Sequence, residues 1–113
     1  MPRSYSEKFL LGLEGQDQDK LGVRLAKLCV KSNLPVKYLT KVFGVSRMTL
    51  HSWFRGSPVR LRNGDKIVMF MDIVKRDLDK GDLPVATLNQ AKLYIEHSLL
   101  EKMSNYENDK TVL

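Results

Sequence analysis

The stretch that decides the fold is VKYLTKVFGVSRMTLHSWFRG, residues 36–56. Apolar side chains recur in its first half at steps of three and four residues, which is the spacing of one face of an α-helix. They are Val36, Leu39 and Phe43. Gly44 follows, where a helix commonly ends in a left-handed backbone conformation that costs little in a residue without Cβ. The first half therefore predicts a short helix that ends at Gly44.

The second half predicts another short helix, which begins at Ser46. A serine hydroxyl accepts a hydrogen bond from the free N–H groups of the first helical turn. Val45, in the turn before Ser46, is apolar and is expected to pack inward. Leu50, Trp53 and Phe54 repeat at helical spacing and point back onto the first helix. The remaining side chains face outward: Arg47, Met48, Thr49, His51, Ser52 and Arg55. An exposed helix face of arginines and small polar groups is what a reader of the DNA major groove requires.

This stretch resembles the helix-turn-helix of lambda-repressor/Cro-like DNA-binding proteins, especially phage and bacterial regulators whose motif ends in an aromatic-rich segment. The matching positions are Leu39, Phe43, Gly44, Val45, Ser46, Leu50, Trp53 and Gly56. The resemblance covers residues 20–80 and implies an all-α, lambda-repressor-like bundle of about five helices with an extra C-terminal helix. The chain departs from the family at Thr40, because the family usually has Ala where the two helices touch. We expect the Thr40 hydroxyl to bond back to a carbonyl of its own helix.

By this resemblance, the helix over Ser46–Arg55 is the recognition helix and lies in the major groove of double-stranded DNA. The base-reading candidates are Arg47, Met48, Thr49, His51 and Ser52. Arg47 can bond to guanine O6 and N7, which provides about 1–3 kcal/mol of discrimination. Met48 and Thr49 offer methyl contacts to thymine, and for His51 a base contact, a phosphate contact and simple solvation stay open.

Basic side chains around the motif are candidates for contacts with DNA phosphates. Arginine forks and free N–H groups at helix N-termini both suit phosphate oxygens. The candidates are Lys37, Lys41, Ser46, Arg55, Arg60, Arg62 and Lys66. The alternative is that the arginines after the recognition helix are ordinary surface charge.

Positive charge is concentrated in the segment that contains the motif. Residues 20–66 carry eleven basic groups and one acidic group, a balance of +10, whereas the rest of the chain carries −4. A basic segment that coincides with a reading motif is the electrostatic footprint of a protein that binds a polyanion. A solvated surface without a partner is the alternative.

Length and composition predict one domain with tails. No run of about 18 apolar residues occurs, so we expect no membrane-spanning helix. The N-terminus is a poor secretion signal, and the single cysteine, Cys29, excludes an internal disulfide framework and fits a reducing cytosol. Cys29 falls in an apolar stripe, which indicates a core residue. We expect a cytoplasmic protein, nucleoid-associated or in a phage-infected cell.

The chain divides into four predicted parts. They are an N-terminal arm or short helix (1–19), the DNA-binding domain (20–80), a C-terminal helix for packing or dimerisation (81–105) and a flexible tail (106–113). Within them we expect helices over 20–32, capped by Asp17 or Asp19, over 65–80, started by Asn63 or Asp65, and over 88–104. The last begins with a capping box formed by Thr87 and Gln90, and its apolar stripe comprises Leu88, Tyr94 or Ile95, Leu99 and Met103.

The leading hypothesis is a transcriptional regulator of repressor/Cro type, a homodimer through helix 65–80, the C-terminal helix, or both. The alternative is a protein-binding inhibitor, antitoxin-like or phage assembly module on the same scaffold. A phage packaging or recombination factor and an RNA-binding protein also stay open. No Cys/His cluster has metal-ligand spacing and no Gly-rich loop follows a strand, so we expect neither an enzyme nor a cofactor.

Overall fold

The computed structural model describes residues 5–111, and the side chains of residues 5–106. Within that range the chain is helical and has no strand, so the predicted all-α class is confirmed. The helices are α1 (Glu7–Glu14), α2 (Leu21–Ser32), α3 (Val36–Phe43), α4 (Arg47–Phe54), α5 (Leu61–Asp79), α6 (Leu88–Tyr94) and α7 (Leu100–Thr111). A π-helical turn, Ile95–Leu99, joins α6 to α7 without a break. No described helix is long and apolar enough to cross a membrane.

Helix α2 lies at the centre of the core, in contact with both α4 and α5. Val23, Leu25, Ala26 and Cys29 are fully buried along its inner face, because apolar residues recur there with helical periodicity. The core role predicted for Cys29 is confirmed, and burial raises the pKa of its thiol.

Helices α2 and α4 approach each other closely where Gly22 of α2 faces the backbone of Trp53 in α4. An ideal Cβ on Gly22 would lie 2.1 Å from the Trp53 carbonyl oxygen. Only a residue without a side chain allows the two backbones to come this close. An isolated glycine inside a helical pattern is the one sequence signal for such a contact, and its partner cannot be read from it.

Helix α5 begins four residues earlier than predicted, at Leu61 instead of Asp65. Its N-cap is Arg60, which makes no side-chain capping bond, so Asn63 and Asp65 do not start the helix. The N–H of Gly64 donates to the Arg60 carbonyl at 2.8 Å and closes the first turn. The prediction of a loop up to residue 65 was wrong because a strong apolar face downstream stabilises a helix through a locally unfavourable Asn-Gly pair.

The start of α2 also differs from its prediction. Lys20 is the N-cap and makes no side-chain capping bond. The carboxylate of Asp17 instead accepts from the backbone N–H of Asp19 at 2.9 Å, within the preceding turn. Aspartate bonds to the N–H two residues on in turns as well as at helix starts, so the residue type alone did not distinguish the two.

The last helix packs on α5 through a stripe of residues spaced by four. The buried members are Ala91, Ile95, Leu99 and Met103. In a regular α-helix of 3.6 residues per turn such a stripe drifts around the axis, and the wider π turn brings it back into line. Leu88, which the sequence assigned to this stripe, is 58% exposed.

The start of this last helix agrees with its prediction in part, and its end does not. At its start, the Thr87 hydroxyl accepts from the Gln90 N–H at 3.1 Å, as predicted. The Gln90 side chain accepts from the Ala86 N–H, one residue before the position that a capping box uses. At its end, the helix continues to Thr111 instead of stopping near Ser104, because Tyr106 still packs against the core. Residues 112–113 of the predicted tail lie outside the described residues.

A buried ionic network ties α5 to the last helix. Asp77 is 2% exposed, and both of its carboxylate oxygens accept from Lys102 Nζ, at 2.8 and 2.9 Å. The Tyr94 hydroxyl donates to the same carboxylate at 2.6 Å. Burial by itself raises the pKa of Asp77, but the hydrogen bonds from Lys102 and Tyr94 and the charges of Lys102 and Lys80 outweigh it, so the pKa is lowered.

We expect Gly22→Ala to destabilise the protein by about 1–3 kcal/mol, because the new methyl group meets backbone atoms that cannot rotate away. Gly12→Ala is the matched control, since a Cβ on Gly12 of α1 meets nothing within 4 Å. The control gains up to about 1 kcal/mol from helix propensity. Urea unfolding of both variants measures the difference. Equal stabilities would contradict the assigned contact.

We expect Asp77→Asn to cost about 2–3 kcal/mol at neutral pH, since it removes a charged hydrogen-bond acceptor from a buried site. The pKa of Asp77 is below that of an unfolded aspartate, about 3.9. The ionised carboxylate therefore stabilises the fold above that pH, and the contribution is lost as the pH falls further.

Unfolding free energies of wild type and Asp77→Asn should consequently differ at pH 7, and the difference should shrink as the pH falls below about 3.9, the pKa of an unfolded aspartate. Asp79→Asn is the control, because Asp79 is exposed on the same helix. A gap between wild type and Asp77→Asn that stays constant over this range would rule out the assigned role of the carboxylate.

Candidate nucleic-acid interface

Helices α3 and α4 are joined by a tight turn with the predicted backbone. Gly44 has φ +65° and ψ +32°, and its N–H donates to the Thr40 carbonyl at 2.9 Å. Ser46 is the N-cap of α4, and its hydroxyl accepts from the Thr49 N–H at 3.1 Å. The predicted helix end and helix start are both confirmed.

Thr40 behaves as the sequence predicted for a polar residue in this place. Its hydroxyl donates to the Lys37 carbonyl of the same helix at 3.0 Å. The side chain is half-buried, so α3 and α4 remain in contact without an alanine at this position. The Thr40 hydroxyl, at the position where the resembling family usually has Ala, therefore has its hydrogen-bond partner within α3.

The inner edge of α4 is anchored by three buried side chains, Leu50, Trp53 and Phe54. The Trp53 ring meets the Phe43 ring edge-on with 6.0 Å between centroids, and this contact connects α4 to α3. Trp53 is 4% exposed, which confirms the predicted core role. The anchors fix which residues of α4 point away from the body.

The outward face is open at the N-terminal end of α4. Arg47 is exposed and Met48 is 79% exposed. Thr49 is half-buried, and its hydroxyl lies 3.1 Å from that of Ser46. These three base-reading candidates lie together on the first turn of the helix, where backbone N–H groups also have no helical partner.

The other two base-reading candidates contact the protein itself. The His51 ring meets the Phe9 and Phe54 rings edge-on, with centroid distances of 6.1 and 5.8 Å. The Ser52 hydroxyl donates to the Ser57 hydroxyl at 2.7 Å. The edge that the sequence predicted to be bare is thus open at Arg47 and partly covered at His51.

Helix α1 provides this cover, and the sequence did not place it there. The Ser6 hydroxyl caps the helix by accepting from the Phe9 N–H at 3.1 Å, and Gly15 ends it. The Tyr5 hydroxyl donates to the Leu34 carbonyl between α2 and α3, which fastens the start of α1 to the body. Residues 1–4 of the predicted N-terminal arm lie outside the described residues.

The phosphate-contact candidates differ in solvent exposure and in whether their side chains already have a partner. Lys37, Arg55, Arg60 and Arg62 are exposed, and Lys66 is half-buried. Arg60 directly precedes α5, and Arg62 and Lys66 lie in its first two turns, so all three are at the N-terminal end of that helix. The Ser46 hydroxyl is engaged as the cap of α4, as described above.

Lys41 has a partner that sequence analysis missed. Its Nζ lies 3.2 Å from Glu96 Oε1, in the π turn of the last helix. The two residues are far apart in sequence, and neither helix pattern indicates the pairing. This contact connects the first helix of the motif to the C-terminal helix.

In the comparisons with known proteins, no protein-family model, no curated protein and no solved structure matches the chain. Among the described residues, no group of three or more His, Cys, Asp or Glu side chains is placed to hold a metal ion. The geometry of the basic α3–α4 region is therefore the basis for a functional proposal.

We expect Ser46→Ala to lower stability by about 1 kcal/mol, because it removes the hydrogen-bond acceptor at the start of α4. Ser46→Asp retains an acceptor and adds a charge that the helix N-terminus favours, so it should remain near wild type. Thermal unfolding of the two variants tests this. If both variants lose the same stability, the capping bond does not stabilise α4.

Proposed function

We propose that the protein is a sequence-specific double-stranded DNA-binding transcriptional regulator of repressor/Cro type with a lambda-repressor-like arrangement of helices. The observation that carries the proposal is the open first turn of α4, formed by Arg47, Met48 and Thr49. This turn belongs to residues 20–66, which carry eleven basic groups and one acidic group. In this proposal the basic groups of the segment supply non-specific affinity, and the exposed helix end supplies base contacts.

In this proposal the first turn of α4 enters the major groove. Arg47 reads guanine through its fork of N–H donors, and the methyl groups of Met48 and Thr49 contact thymine. The buried anchors Leu50 and Trp53 hold the helix at a fixed angle, which base reading requires. His51 and Ser52 remain predicted base readers. Because they already contact Phe9 and Ser57, we expect them to contribute less to base recognition than Arg47.

The phosphate contacts in this proposal lie on both sides of α4. Lys37 and Lys41 belong to α3, which precedes α4 in the chain. Arg55, Arg60, Arg62 and Lys66 follow α4 in the chain. Lys41 exchanges its carboxylate partner Glu96 for a phosphate on binding. The exchange costs little, because a partly exposed ion pair contributes about 0–1 kcal/mol.

A homodimer is part of the proposal, since regulators of this type occupy two half-sites about one helical turn apart. The buried stripe of the last helix packs on α5, so it is not free for a second copy. Apolar side chains on the outside of α5 and of the last helix are exposed and available: Leu61, Val68, Leu93 and Leu100.

The same exposed apolar side chains favour one alternative, a protein-binding inhibitor or phage assembly module. That function requires a partner chain and no salt-dependent binding to DNA. Selection of bound sites from a random duplex pool, with the mass of the free protein measured in parallel, separates the two. A failure to enrich any sequence at low salt would reject the proposed regulator.

With the selected site in hand, we expect Arg47→Ala to lose about 1–3 kcal/mol of the preference for that site over random DNA. Arg60→Ala should weaken binding to both DNAs alike and reduce the slope of log affinity against log salt by about 1. Fluorescence anisotropy titrations at several salt concentrations measure both effects. Lys75→Ala is the control, because Lys75 is an exposed basic residue of α5 outside the proposed contacts. Identical losses in the Arg47 and Arg60 variants on both DNAs would reject the division of roles.

A further inference from the structure

A cleft with a volume of about 350 Å³ lies between α1 and α4, outside the proposed base-reading turn. Its apolar surface comes from Phe9, Leu13 and Phe54. The Phe9 and Phe54 rings stand edge-on to each other with 6.0 Å between centroids, and they leave space beside them. Small-molecule sites in proteins have this size and this mainly apolar lining, with a few polar groups at defined places.

The polar groups of the cleft are predominantly basic. Lys8, His51 and Arg55 line it, and none of its lining residues is acidic. Within the described part of the chain, neither Lys8 nor Arg55 forms an ion pair, so both cations are available to a ligand. An apolar surface with unpaired cations on it is complementary to a molecule with an apolar body and one negative group.

We propose that this cleft binds a small amphipathic anion, namely an aromatic carboxylate whose ring lies against Phe9 and Phe54 and whose carboxylate pairs with Arg55 and Lys8. Arginine is suited to this role because its planar fork donates two parallel hydrogen bonds to a carboxylate. Gly12 leaves one wall of the cleft without a side chain, since a Cβ there meets nothing within 4 Å. The cleft shares His51 and Arg55 with the proposed DNA contacts, but its binding of a carboxylate is measured without DNA.

The first test uses 2-naphthoate and its uncharged analogue 2-naphthamide as probes, titrated into the full chain by calorimetry. We expect the carboxylate to bind about tenfold more tightly than the amide, because only the anion forms ion pairs with Arg55 and Lys8. Arg55→Gln should remove that preference, and Lys75→Gln, a change outside the cleft, should retain it. Equal affinities for the two probes in wild type, or no saturable naphthoate binding below about 10 mM, would overturn the proposal.

A second test locates the bound probe. On addition of 2-naphthoate, the backbone amide resonances of Phe9–Leu13 and His51–Arg55 should shift more than those of α5 and the last helix. Gly12→Trp places a ring in the cleft and should weaken naphthoate at least about tenfold. Leu11→Trp, at an exposed residue of the same helix that does not line the cleft, should bind like wild type. Shifts confined to another surface, or a Gly12→Trp variant that binds as well as wild type, would show that the cleft is not the site. No DNA is used, so these results leave the proposed regulator untouched.

Discussion

The close contact between Gly22 and the backbone of Trp53 determines how near α4 lies to α2. With that distance set, Leu50 and Phe54 are buried and the Trp53 ring packs edge-on against Phe43 of α3. The rotation of α4 about its axis then follows, because an eight-residue helix anchored at three positions has one stable orientation on the core. Arg47 is directed outward as a result of burial on the opposite edge.

The C-terminal helix is fastened to the rest of the protein by charge as well as by apolar packing. Asp77, paired with Lys102 and Tyr94, holds it against α5, and the ion pair between Lys41 and Glu96 connects it to α3. A helix shifted in register would leave the buried Asp77 charge without a partner, which is costly, so the pair favours the observed register. The helix is therefore part of the body that carries α3 and α4.

Helix α1 changes the surface of α4 that sequence analysis assigned to base reading. Phe9 covers one side of His51, and the space that remains beside Phe54 forms the cleft lined by Lys8 and Arg55. The surface of α4 thus has two parts, an open first turn and a middle shared with α1. This division follows from a short amphipathic helix that cannot bury its apolar face alone and packs on both α2 and α4.

The sequence alone determined the features that depend on neighbouring residues. Gly44 ends α3, while Ser46 and Thr87 start their helices through side-chain bonds to an N–H three residues on. Apolar periodicity indicated an all-α protein with Trp53 and Cys29 inside. The start of α5 was misjudged because an Asn-Gly pair resembles a turn when the packing that makes it helical is unknown.

Only the tertiary structure decided the contacts between distant residues. They are Gly22 with Trp53, Phe9 with His51, Lys41 with Glu96 and Asp77 with Lys102. Helical periodicity specifies which face of a helix is apolar, but not which other helix covers that face, because any apolar face of suitable width can do so. Which charges pair and which stay open to a ligand depends on that choice of neighbours.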